Sequence, residues 1–222
     1  YEAESREWQI QCKAQDFINL VIITPSFLTI SLLLFANKPY APVLWAGCLL
    51  YMVYTYLIYC FDIHFNTFFI LYCIILSLSV YLLFHFFYSY RSRPALNAGK
   101  STVAKVTAIY FLILPVLFYA FWLYEIIPAT LHFTLPASVG ESGLFTNPVH
   151  VLDLSFLLPG IFITGIMLLR KKRLAFTLAP VFLTFFVLMD ITIICLTLVM
   201  VWRGILDNYF LVFMMSALAL FS

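Results

Sequence analysis

One stretch limits what this chain can become: NPVHVLDLSFLLPGIFITGIMLLRKKR, residues 147–173. Its apolar run from Val149 to Leu169 is long enough to cross a hydrocarbon core of about 30 Å at about 1.5 Å per residue. Four consecutive bases, Arg170, Lys171, Lys172 and Arg173, stop it. Asn147-Pro148 reads as a helix start, because proline suits the first turn, where its missing N–H is not needed. His150 and Asp153 are three residues apart, so they share one helix face near the uncharged end.

Similar runs recur along the chain. They predict helices over 15–36, 41–61, 66–88, 104–127, 149–169 and 175–202, and 209–222 reads as a seventh cut short at Ser222. Only 10% of the 222 residues are charged and 64% are hydrophobic, against about 25% charged in a soluble domain. Lipid must therefore be the solvent for most of the surface. The expected fold is all-α: a polytopic transmembrane helix bundle forming one domain, 1–222. The chain opens on Tyr1 rather than methionine, so an upstream segment is expected. No basic stripe with interleaved aromatics points to nucleic acid. The five cysteines have no metal-ligand spacing; a Cys12–Cys60 bridge is conceivable at the outer side.

Charge gives an orientation. If the 89–105 and 170–173 loops face the cytoplasm, nine of the twelve bases lie inside, and only Arg6, Lys13 and Arg203 remain outside. The acids take the opposite side, except Asp190, which falls within helix 175–202. The N-terminus is then external and odd-numbered helices run inward.

A shift of 134 residues lays the first helix pair on the fifth and sixth. Asn19-Leu20 meets Asp153-Leu154, Pro25 meets Pro159, Lys38 meets Lys172, and Tyr56 meets Asp190. This predicts a parallel repeat with halves 15–88 and 149–222, joined by helix 104–127. Transporters are often built from such repeats.

The stretches FNTFFILY (65–72) and HVLDLSFLLP (150–159) resemble those of a group of bacterial polytopic membrane proteins of uncharacterised activity. That likeness implies bacterial inner-membrane residence and a shared fold. The three-plus-one-plus-three plan is similar to that of PQ-loop and SWEET-type transporters and of opsin-like proteins. The proline-glutamine pair is absent, because Pro25 precedes Ser26 and Pro159 precedes Gly160. No retinal-anchoring lysine occurs in the last helix as far as Ser222. The likeness of plan carries architecture only.

Three constellations could carry chemistry. An outer polar set comprises Asp16, Asn19, Asp62, His64, Asn66, His150 and Asp153; these are either caps and interfacial groups or a ligand or proton site. His64, His150 and Asp153 are the only metal candidates among them. Asp190 stands alone in mid-membrane, where a functional role is the default reading; it is expected to be protonated, to bond tyrosines such as Tyr54 or Tyr56, or to face a cation in a cavity, the other reading being a neutral carboxyl that joins helices. The tyrosine run of helix 41–61 puts Tyr51 and Tyr54 on one face and Tyr56 and Tyr59 on another. No nucleophile motif, phosphate loop or HExxH is present. Three functions remain open: transport of a small solute or ion past Asp190; a non-catalytic partner or sensor subunit; or an intramembrane enzyme using His150 and Asp153. Which cofactor the chain takes, if any, is not legible in the sequence. Beyond the lipid bilayer, the candidate partners are another protein or further copies of the chain.

Overall fold

The structure, a computed structural model, describes residues 1–90, 101–205 and 216. Among these, every regular element is helical. The order is α1 (Arg6–Ile18), a π turn (Asn19–Ile23), α2 (Thr24–Phe35), α3 (Ala41–Phe61), α4 (Phe69–Tyr90), α5 (Ser101–Leu131) and α6 (Ala137–Ser142). There follow α7 (Pro148–Leu152), a second π turn (Asp153–Leu157), α8 (Leu158–Leu169) and α9 (Arg173–Trp202). Six spans are long and apolar enough to cross a membrane: Arg6–Phe35, Ala41–Phe61, Phe69–Tyr90, Thr102–Leu131, Pro148–Leu169 and Arg173–Trp202. The chain is an integral, multi-pass membrane protein. The expected seventh helix, 209–222, lies outside the described residues save Ser216.

Local chemistry sets the helix ends. Ser5 Oγ accepts the Trp8 N–H, so the first span begins well before the apolar run expected at 15. Asn66 Oδ1 accepts the Phe68 N–H at 2.9 Å, just ahead of α4. Asn147 Oδ1 accepts from Val149 N–H at 3.0 Å and His150 N–H at 3.4 Å, with Pro148 in the first turn. The expected 128–147 loop is partly helical: α5 continues through Pro128 to Leu131, and α6 follows.

Both π turns precede a proline, and the proline explains them. A proline ring clashes with the carbonyl four residues back, which for Pro25 is Val21 and for Pro159 is Ser155. Widening the turn relieves this: Thr24 N–H bonds Asn19 O, and Leu158 N–H bonds Asp153 O, each five residues back. The next such bond would need an N–H on Pro159 to reach Leu154 O. Proline has none, and the Tyr119 hydroxyl donates to that carbonyl instead, at 2.9 Å.

The two π turns are exactly 134 residues apart, and so are the helices that follow them. The ends of α2 and α8 keep the same register. Asn37 (φ 54°) and Lys171 (φ 51°) are left-handed. Lys38 N–H bonds Leu33 O, as Lys172 N–H bonds Met167 O. This ending is common and also closes α5 and α9; the informative part is the register.

The chain divides into two compact units. The first comprises Tyr1–Tyr88 and Pro180–Ser222, the second Ser89–Ala179. In the first, α3 is the most buried helix, and it meets α9 without a spacer at Gly47. A Cβ there would overlap Thr184 Cβ and lie 2.7 Å from Thr184 Cγ2 and 2.9 Å from the Val181 carbonyl. In the second, α8 packs on α5 through Gly165, where a Cβ would stand 3.1 Å from both Ala108 O and Phe111 Cβ. Large apolar side chains elsewhere are exposed, among them Phe35, Phe61, Phe84 and Phe156, as a lipid-facing surface requires.

All five cysteines are free thiols, so no Cys12–Cys60 bridge forms. Cys12 is buried among Tyr59, Ile63 and Tyr72, and Cys60 packs against that cluster as a thiol.

Gly47→Ala is expected to destabilise the detergent-solubilised protein by about 1–3 kcal/mol, the usual range for overpacking. Gly165→Ala, whose neighbours have only to yield slightly, is expected to cost less. Thermal unfolding of the two variants side by side checks the order.

Candidate functional site

Five of the expected outer polar residues lie in the first unit. Asp16 accepts the Tyr1 hydroxyl at 2.6 Å and the Tyr59 hydroxyl at 2.8 Å. Burial and the bond to Asp16 push the Tyr1 phenol well above its ordinary value. Tyr59 belongs to an aromatic cluster with Tyr56 and Tyr72, ring centres 5.0–6.1 Å apart. His64 meets Glu4, which the sequence reading passed over. The Glu4 side chain is 2% exposed; it accepts the His64 backbone N–H at 2.7 Å, and its other oxygen lies 3.0 Å from His64 Nδ1. Asn66 is a cap and turns back to the His64 carbonyl. Asp62, just beyond α3, is half-buried, and that burial lifts its carboxyl to about 6.

Asn19 opens the first π turn and sits in a part-buried polar network. Gln15 Nε2 donates to Asn19 Oδ1 at 3.0 Å and to the Tyr51 hydroxyl at 2.8 Å. The Tyr51 hydroxyl, 1% exposed as a residue, also lies 2.9 Å from Thr192 Oγ1. This network ties α1, α3 and α9 together.

Asp190 is two residues before Thr192 and is 6% exposed. Its Oδ2 is buried and has no hydrogen-bond partner among the described residues. Tyr54 packs edge-on against Phe185, at 5.6 Å, and Tyr56 turns to Tyr59 and Tyr72.

The second unit holds His150 and Asp153, both buried. Asp153 opens the second π turn, and its Oδ2 accepts Trp122 Nε1–H at 3.0 Å. The Trp122 ring lies 4.5 Å from the His150 ring. Among the described residues His150 Nε2 has no hydrogen-bond partner; it stands 3.8 Å from Glu125 Oε2. Sequence reasoning had named neither Trp122 nor Glu125 for this site. Both lie on α5, at three-residue spacing, and that spacing was the available signal. Among the described residues, no three His, Cys, Asp or Glu side chains gather to hold a metal ion.

Comparison with protein-family models, curated proteins and solved structures returns no match.

Asp62 gives a pH dependence whose sign is fixed. A carboxyl whose folded value exceeds its ordinary 3.8 favours the fold when protonated. Stability from this group is full below about 4 and is lost as pH rises through about 6. Asp62→Asn is expected to flatten that part of the stability–pH curve and to raise stability at neutral pH, measured by thermal unfolding in detergent.

Proposed function

We propose that the chain carries a small solute or ion across the membrane, with Asp190 in the path. The supporting observation is the Asp190 carboxyl: buried within a spanning helix, with one oxygen that no donor among the described residues reaches. An isolated aspartate at the centre of a membrane helix costs about 2.5–3.5 kcal/mol on insertion scales. Structural glue would have a partner to offset that cost; a carboxyl awaiting a cation or proton need not. The two π turns in equal register add support, since interrupted helices in corresponding positions of two repeats are where transporters place their sites.

In this reading the halves 15–88 and 149–222 are repeats. Within the first unit Asp16, Asn19, Asp62, His64 and Asn66 serve the outer end of the path, and Tyr54 and Tyr56 border it; within the second, His150 and Asp153 are the outer polar groups. The orientation is N-terminus outside with 89–105 and 170–173 cytoplasmic, supported by the distribution of bases. A bacterial inner membrane is the residence we propose, on the resemblance of 65–72 and 150–159 alone.

The reading is tested in proteoliposomes loaded with a pH-sensitive dye, under a potassium diffusion potential and then under sodium or potassium gradients. The parent chain is expected to conduct. Asp190→Asn is expected to lower the rate at least about tenfold, a barrier increase of about 1.4 kcal/mol. A folded Asp190→Asn chain with parental flux, or a parent silent to all three cations, overturns the ion path. Orientation is tested separately, with single cysteines placed in 89–105 and 170–173: labelling by an impermeant maleimide is expected only after the cells are opened.

A further inference from the structure

The second unit contains a ring of polar contacts around His150, complete but for one step, to which the transport reading assigns no chemistry. Glu125 on α5 is held by one oxygen: Ser138 N–H donates to Oε1 at 2.8 Å. Ser138 Oγ accepts from Asn147 Nδ2 at 3.3 Å. Asn147 Oδ1 in turn accepts the N–H of His150 at 3.4 Å. The ring returns through space, from His150 Nε2 to the second Glu125 oxygen, 3.8 Å away.

That last step is open. His150 is 6% exposed and its Nε2 has no partner among the described residues. A buried polar atom left unpaired costs about 1–3 kcal/mol. The gap is about 1 Å longer than a charge-assisted hydrogen bond, typically about 2.8 Å. No described base approaches. The titratable groups facing the imidazole are Glu125 from α5 and, in the π turn, Asp153, which Trp122 occupies. Tyr119 is bonded to Leu154 O, and α6 offers Ser138.

We propose that His150 and Glu125 form an exchangeable proton-binding site whose occupancy Trp122 reports. The imidazole takes one proton from water and becomes imidazolium; Glu125 remains a carboxylate; no other bond changes. The pair passes from one negative charge to neutral, and the gap closes to a charge-assisted bond. Because the Ser138 contact already fixes Glu125, little ordering is left to do on protonation. The proposal rests on the transport reading only in supplying it with a coupling ion.

The probe is the proton itself. Imidazolium in ring contact with indole quenches its fluorescence, because it accepts an electron from the excited ring far better than neutral imidazole does. The full chain in detergent micelles is titrated from about pH 8 to about pH 5, where imidazoles change charge. Emission is expected to fall reversibly by up to one quarter, the share of one of four tryptophans. The fall is expected to vanish in Trp122→Phe and in His150→Gln. In Glu125→Gln, where the imidazolium has lost its counter-charge, the midpoint is expected to be displaced by about one pH unit or more. A flat parental titration, a fall that survives His150→Gln, or an unmoved midpoint in Glu125→Gln each overturns the pair. Gel filtration and far-ultraviolet dichroism verify folding; if His150→Gln fails to fold, Glu125→Gln decides. No flux enters this measurement, so it and the Asp190 path stand or fall separately.

Discussion

In lipid the backbone has to satisfy its own hydrogen bonds, since no water is present to do so. Each proline inside a spanning helix breaks that rule once. At Pro25 and Pro159 the chain answers with a π turn, and at Pro159 it recruits the Tyr119 hydroxyl for the stranded Leu154 carbonyl. The polar side chains follow from this. Asn19 and Asp153 stand at the first position of the widened turns, and each is held by a partner from another helix: Tyr51 on α3 for Asn19, Trp122 on α5 for Asp153. The two widened turns are therefore also where polar side chains gather.

Much of the architecture could be read from local chemistry. The span Ala41–Phe61 matches its expected bounds, and the caps at Asn66 and Asn147 act as their residue types suggest. These features depend on residues a few positions apart. The first span escaped by nine residues, because hydropathy is silent over the polar turns that Ser5 caps. Helix α6 escaped because six residues leave too little periodicity to detect.

The candidate site was legible as a list and illegible as a set of pairs. Residue type and depth suffice to pick out Asp190, His150 and Asp153. They do not say that Glu125 rather than Asp153 stands beside His150 Nε2, or that Glu4 takes His64. Such pairings depend on the rotational phase of one helix against another, which one sequence does not contain. Gly47 is a similar case: a small residue among larger ones suggests close approach, but the partner, Thr184, lies far along the chain.

The π turns also break the angular bookkeeping of their own helices. One surplus residue in a turn rotates everything beyond it by about 100°, the step of one residue in a helix of 3.6 per turn. Before the turn α1 buries Cys12, Ala14 and Ile18; beyond it no residue of α2 is fully buried, whereas α8 buries Leu158, Ile161, Thr164, Gly165 and Leu168. A helical wheel drawn straight through Arg6–Phe35 would put the wrong residues inward. Excising a single residue from either π turn would restore ordinary winding and swing the following twelve residues to a new azimuth.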